Sequence, residues 1–450
     1  MPRAMPDASC YGLGLVVVSV EDSAASSERV SGIADVLAVV HGPVRRLFLA
    51  TLLNALGNGL TLSLFIVYLT QVRDIPVAKA TVLLSWMAVV GMAASPLVGT
   101  LTDRLGPRRL LMGCTLAMAA AVSSYSLIHS LRDAFIFCTL GALAGSGLWG
   151  PNSTMLAQMV APEMRQRAFG LSFMLLNLGI GLGGLISATI VSIENPRSFE
   201  LLYRLDALSF IAVFIVQLTL RGHGLPSPKL AEAAGAAVVP ERGWGHVVRD
   251  RILWRYMTVA LLLMVCGYGS VDVGLSYFVT VEIGLPVGNI GIILFANTIS
   301  IVLAQVFVLN RIQGRSRTRL LAGVGLLWAL SWSVNGSAFL AKSTLALILL
   351  CLGQVLFAIG ETVWAPVAPA IVNDLAPDDV RGRYNAVQSL LWTFAGTLSP
   401  LVAGIFLQRG AGLPWVSCIV LGCLVAAVAA LDLRRRISAV VDGTAPSPAQ

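Results

Sequence analysis

The sequence predicts an all-α integral membrane protein with twelve transmembrane helices in two six-helix repeats. Three observations carry this: hydropathy, the placement of charge and an internal repeat. Twelve stretches are mostly free of charge, at 47–70, 77–99, 109–130, 133–157, 168–191, 200–220, 253–280, 286–309, 319–340, 344–372, 384–407 and 413–433. Each reaches the roughly 20 residues that a helix needs to cross a bilayer's hydrocarbon core. In hydrocarbon a helix is obligatory, because no water is there to satisfy the backbone.

Charge placement orients these spans. With the N-terminus inside, 24 of the 31 arginines and lysines fall in inside segments. Examples are Arg104, Arg108 and Arg109 after helix 2, Arg165 and Arg167 after helix 4, and Arg434, Arg435 and Arg436 at the end of the chain. This bias places both termini in the cytoplasm; as a multi-pass protein, the chain is expected in the cell's inner or plasma membrane. The net charge of +8 follows from topology and calls for no nucleic-acid partner; the lipid bilayer is the surrounding medium. The seven cysteines lie almost all in apolar helices without metal-ligand spacing, which marks them as small buried hydrophobes and predicts no metal site. Tyr11–Val20 is too short to span and precedes no clear cleavage site, so residues 1–44 are expected to be a disordered cytoplasmic tail or an over-extended start.

The repeat divides the chain. Trp149, Pro151, Ala161-Pro162-Glu163, Arg165 and Arg167 recur about 215 residues later as Trp364, Pro366, Ala376-Pro377-Asp378, Arg381 and Arg383. Gly170, Gly179 and Gly183 of helix 5 return, shifted by 216, as Ala386, Ala395 and Ser399 of helix 11. Small residues at such spacing let helix backbones approach closely. Arg221–Asp250 is polar and reads as a linker. The expected organisation is a six-helix half at 45–220, a cytoplasmic linker at 221–252, a second half at 253–433 and a cytoplasmic tail at 434–450. Parallel repeats around a central cavity are a recurring transporter plan, in which one half rocks against the other.

Between helices 2 and 3 stands Gly99-Thr-Leu-Thr-Asp103-Arg104-Leu-Gly106-Pro107-Arg108-Arg109. This resembles the loop signature of the major facilitator superfamily, departing from it at Thr102 and Pro107. Gly106 and Pro107 suit a tight turn, and the arginines anchor it on the cytoplasmic side. The resemblance implies that Asp103 contacts the positive N-terminal end of a second-half helix and so latches one conformation. Gly99, Asp103, Arg104, Gly106, Arg108 and Arg109 would form that latch; the plainer alternative is that Asp103 neutralises neighbouring arginines. At the repeat site, Asn310-Arg311 has no acid, so a latch there would be weaker.

Helix 5 is partly similar to the family's antiporter signature. Gly170, Gly179 and Gly183 fit, whereas Gly184 stands where proline is expected and Ser187-Ala188 where two glycines are. The similarity leans towards export, and the same glycines serve helix packing. Many proton-driven drug exporters carry an arginine in helix 4, where this chain has Gly141. No arginine or lysine lies deep inside a predicted helix, so proton coupling would have to use acids. Three acids sit in apolar helices: Asp206, Asp272 and Glu361. Such groups are costly at bilayer depth when charged and are functional candidates by default. Glu361, mid-helix beside Gly360, is placed first; Asp206, behind Arg204, is expected to pair locally.

The resemblance also implies a cavity lined by helices 1, 4, 7 and 10. Asn54 and Asn58 share a face of helix 1 and would point into it or at another helix. Trp149 and Trp364, at matching points of helices 4 and 10, could stack a flat substrate or pack. Trp254, Tyr256 and Trp415 lie at helix ends and are assigned to the interfacial belts. The chain therefore resembles bacterial twelve-helix drug:proton antiporters, acting as a monomer without cofactor on a small-molecule substrate and protons. That resemblance implies export of a small, largely apolar compound. Alternatives are a proton-coupled uptake symporter and, more remotely, a non-transporting receptor or a membrane enzyme. Against an enzyme, the chain has no P-loop, no HExxH and no Ser/His/Asp set, and its four histidines do not cluster.

Overall fold

The computed structural model describes residues 39–61, 64–192, 195–226, 242–286, 288–407 and 409–445. The expected N-terminal tail, except for its last residues, and linker positions 227–241 lie outside the described residues. The first half comprises α1 (Gly42–Val72), α2 (Val77–Leu105), α3 (Pro107–Tyr125), α4 (Leu131–Met159), α5 (Arg165–Ile190) and α6 (Pro196–Leu218). After a short helix at Trp244–Arg249, α7 begins as Arg251–Leu262 and continues through π turns to Glu282. There follow α8 (Gly288–Ile312), α9 (Arg317–Ser337), α10 (Ser343–Leu375), α11 (Arg381–Leu407) and α12 (Gly412–Arg434).

Among the described residues, eleven helices are long and apolar enough to cross a membrane. The remaining one is α3, 19 residues long, whose first turn holds Arg108 and Arg109. Those two charges lower its hydropathy without shortening it, and with α3 the bundle has the twelve helices expected.

The halves pack differently. In the first, α1 presses on α5 through glycine: the backbone of Gly59 meets that of Ile180, and Gly183 sits against Leu56 and Gly59. In the second, aromatic rings fill the space between α9, α10 and α12. Trp328 stacks on Phe357 at 4.7 Å and 13°, and Trp332 meets Trp415 edge-on at 5.1 Å. Trp415 and Tyr256 are therefore buried, correcting their assignment to interfacial belts; of the three, Trp254 alone is exposed. A position near a helix end sets a side chain's depth, but which way it faces is set by packing.

The structure also reveals a repeat at the ends of α1 and α7. Both close in a π turn, Tyr68–Val72 and Phe278–Glu282. Both then turn through a left-handed residue, Asp74 at φ 51° and Gly284 at φ 76°. Aspartate tolerates that region better than most residues, so the same turn is made by different side chains. Between the halves, α2 lies against α11, and α5 against α8 and α10.

Candidate functional site

One joint between the halves lies at the arginine-rich end of the bundle. Asp103, in the last turn of α2, is 3% exposed. Its Oδ1 accepts a hydrogen bond from the Gly382 N–H at 2.6 Å, and its Oδ2 accepts one from the Arg383 N–H at 3.3 Å. These amides belong to the first turn of α11, where N–H groups lack intrahelical partners and the helix dipole favours an anion. The Arg383 guanidinium lies 3.7 Å from the same carboxylate. Contact this close needs glycine: a Cβ on Gly382 would fall 2.6 Å from Asp103 Oδ1 and 2.7 Å from Thr102 Cβ, and one on Gly99 would fall 2.7 Å from Ala386 Cβ. Just above, Ser95 Oγ donates to the Ala386 carbonyl at 3.0 Å.

The rest of the loop holds this joint in place. Gly106 turns at φ 86° and Pro107 opens α3. Arg108 donates to the carbonyls of Gln217 and Leu218 at the end of α6, both at 3.0 Å. Those carbonyls are among the last of their helix, where a cation is favoured. Arg104 and Arg109 are exposed.

A second joint stands beside the first. Arg165 of α5 pairs with Asp374 of α10, whose other oxygen is held at 2.6 Å by Arg317 of α9. Asn373 donates to Ser153 Oγ at 3.2 Å, and Asn385 donates to Thr154 Oγ1 at 3.1 Å. At the repeat position of the Asp103 contact, Gln166 Nε2 instead donates to the Ile312 carbonyl at 3.4 Å. These cross-half bonds all lie toward one end.

Beyond these bonds, aromatic rings from both halves meet. Trp149 of α4 and Trp392 of α11 stand edge-on with centroids 6.3 Å apart, and remain 46% and 37% exposed. Tyr268 of α7 adds a third ring, 4.9 Å from Trp392. Trp364 is different: it is buried and packs 6.2 Å from Trp328. The helices that carry these repeat partners also differ: α4 ends one segment at Ser146 and starts another at Trp149, while α10 runs unbroken. Asn54 and Asn58 lie on α1 between the residues that face α5 and those that face α6. Both are half-exposed and have no hydrogen-bond partner among the described residues.

The membrane carboxyls differ in company. Glu361 is buried and accepts a hydrogen bond from Asn297 of α8 at 2.6 Å. Asp206 is 2% exposed and accepts from Thr61 Oγ1 at 2.8 Å and from Ser209 Oγ at 3.3 Å. Gly57 permits this, since a Cβ there would strike Asp206 and Ser209. Arg204 pairs with Glu200 at 3.7 Å rather than with Asp206. Among the described residues no arginine or lysine pairs with Asp206, so its donors are neutral hydroxyls. The side chain of Asp272, in the π turn Val271–Leu275, lies outside the described side chains.

Of the helix 5 glycines, Gly179 faces Ala55 and Gly183 faces Gly59, while Gly170 meets Leu309 of α8, in the other half. Gly184 reaches the Gly59 carbonyl only at 4.0 Å.

A family model described as the Major Facilitator Superfamily matches residues 47–348 and 269–446. The chain belongs to the major facilitator superfamily. Similar curated proteins include the multidrug resistance protein MdtH of Cronobacter sakazakii, 26% identical over 335 residues, covering 72% of this chain and 77% of that one. A Na(+), Li(+), K(+)/H(+) antiporter of Planococcus maritimus is 22% identical over 352 residues, covering 72% and 80%. Among solved structures, a bacterial homologue of the iron transporter ferroportin in its outward-facing state matches with TM-score 0.71 and 17% identity, over 88% of this chain and all of that one. The human organic anion transporter MFSD10 matches with TM-score 0.68 and 17% identity, over 86% of this chain. At that identity the structural likeness establishes the fold alone.

Beside the sequence-predicted positions the structure brings together residues that sequence reasoning missed: Trp392, Tyr268, Asp374, Arg317, Thr61 and Ser209. The repeat could not flag two of them. The first-half positions matching Asp374 and Trp392 are Met159 and Leu176, so neither acid nor ring is mirrored. Thr61 could have been found, because it lies one turn beyond Gly57 on the helix that carries Asn54 and Asn58.

Proposed function

We propose that this transporter exports a small, largely apolar compound in exchange for protons, by alternating access. The observation that carries the proton is Asp206, a buried carboxyl whose described donors are the neutral hydroxyls of Thr61 and Ser209. An ionised carboxylate in such a place is costly, whereas its protonated form is not. The group therefore takes up a proton when shielded and releases it when water reaches it. Gly57 and Thr61 set it against α1, the helix that carries Asn54 and Asn58, so proton and substrate would act on one element. Glu361, held by Asn297, is the second carrier in this reading, and Asp272 the third.

Substrate would bind above the gate, against Trp149 and between the asparagines and the rings of Trp392 and Tyr268. Exposed indole faces suit flat apolar compounds. Export is favoured by the names of the multidrug-resistance relatives. With the arginine-rich end cytoplasmic, the structure is the conformation closed to the cytoplasm, and Asp103 on the α11 terminus is its latch. One chain holds both halves and the whole site, which fits a monomer in the inner or plasma membrane.

The deciding experiment is efflux of ethidium from de-energised and re-energised cells of a pump-deficient host. Export predicts lower accumulation with the protein present and a proton gradient imposed. Higher accumulation under that gradient would point to the uptake symporter.

A further inference from the structure

We infer that the C-terminal turn Ser438–Ala445 is a positioning element of the gate, holding Arg317 so that Asp374 is aimed at the opposite half. Asp442 is 4% exposed and Val441 is 7% exposed, although both follow the last membrane helix. Asp442 Oδ1 accepts from the Thr318 N–H at 2.9 Å and from Thr318 Oγ1 at 2.8 Å, capping the start of α9. The Asp442 carbonyl accepts from the Arg317 N–H at 2.8 Å, and the Val441 carbonyl accepts from the Arg317 guanidinium at 2.9 Å. That same guanidinium nitrogen holds Asp374 Oδ2 at 2.6 Å, and Asp374 Oδ1 pairs with Arg165. Gly443, at φ 75°, lets the turn close beside Arg317, where a Cβ would come within 3.1 Å of Nε.

The chain of contacts thus runs from the C-terminal turn to Arg317, to Asp374, and across to Arg165 of the first half. Arg165 and Asp374 belong to opposite halves and must part when this end opens. Arginine has a long side chain that loses much rotamer freedom on being fixed. With Arg317 already held by Val441 and by its own backbone, Asp374 presents one oxygen to Arg165 in a fixed direction. The turn therefore favours the state closed at the arginine-rich end.

The test needs neither substrate nor protons, so it stands apart from the export reading. Ser153→Cys, at the buried gate contact with Asn373, is introduced into a variant without native cysteines and reconstituted in lipid nanodiscs. The rate of maleimide labelling reports opening of this end. Asp442→Ala should raise that rate several-fold, as should deletion of residues 437–450. Asp442→Asn, which still accepts from the Thr318 N–H, should stay close to the parent. Arg317→Ala should raise the rate too, and the double variant with Asp442→Ala should exceed neither single variant, because both act through one path. Should Asp442→Ala not survive purification, Gly443→Ala is read in its place. Labelling at the parent rate in the Ala and deletion variants would overturn the inference. So would an Asp442→Ala effect that persists undiminished without the Arg317 side chain.

Discussion

The carboxylate of Asp103 accepts a 2.6 Å hydrogen bond from the backbone N–H of Gly382, joining the end of α2 to the start of α11 across the two halves. The bond uses a helix terminus rather than a side chain, so no substitution at residue 382 removes the donor except proline. What residue 382 does control is distance, because a Cβ would come within 2.6 Å of the Asp103 Oδ1 and push it away.

Asp103→Asn keeps the size of the side chain and removes its charge. A hydrogen bond to a charged partner contributes about 1.5–3 kcal/mol, more than a neutral one. Transport should fall sharply while the protein still reaches the membrane, as judged by surface labelling. Normal transport would reduce Asp103 to a local counter-charge. Gly382→Ala should loosen the same joint by overpacking, at about 1–3 kcal/mol, and should be read by the Ser153→Cys labelling rate.

Asp206→Asn and Glu361→Gln separate the two carboxyls. Each amide preserves shape and mimics the protonated acid, and the amide oxygen introduced at position 206 can still accept from Thr61. Asp206→Asn should abolish transport against a gradient and its dependence on pH, while leaving equilibrium binding of ethidium intact. Glu361→Gln tests the second carrier in the same assay. If Asp206→Asn pumps with an unchanged pH response and Glu361→Gln does not, the principal role passes to Glu361. If both pump normally, Asp272 is next.

The two repeat-related tryptophans should behave unlike one another. Trp364→Ala empties a packed space beside Trp328 and should lower stability by about 3–5 kcal/mol, seen as a lower melting temperature. Trp149→Ala and Trp392→Ala remove exposed rings and should leave the melting temperature nearly unchanged. Their effect should be weaker ethidium binding, read by fluorescence titration. Equal loss of stability at Trp149 would assign that ring to packing.

Orientation is tested by single cysteines at two exposed positions on opposite ends. Lys342→Cys should react with a membrane-impermeant maleimide added outside intact cells, and Arg315→Cys should not. The reverse pattern would invert the topology and, with it, the meaning of the closed gate.

The sequence by itself determined the number of membrane helices, the two-half plan and the position of the Asp103 loop. Each is a local property: hydrocarbon forces helix on any apolar run of sufficient length, and Gly106-Pro107 makes its turn without help from distant residues. It also placed Asn54 and Asn58 on one face of one helix. Tertiary structure decided everything that depends on which way a side chain points and what stands opposite. Trp149 and Trp364 repeat in sequence, yet one is exposed between the halves and the other is packed against Trp328. Asp206 and Glu361 look alike as acids in apolar helices. Ser209 reaches Asp206 along one helix, but only the fold puts Thr61 on Asp206 and Asn297 on Glu361. Asp374, Arg317 and Asp442 come together from α10, α9 and the C-terminal turn, and no periodicity announces them. Burial energy tells a chain which segments leave water, whereas the pairing of polar groups depends on neighbours that only the assembled bundle supplies.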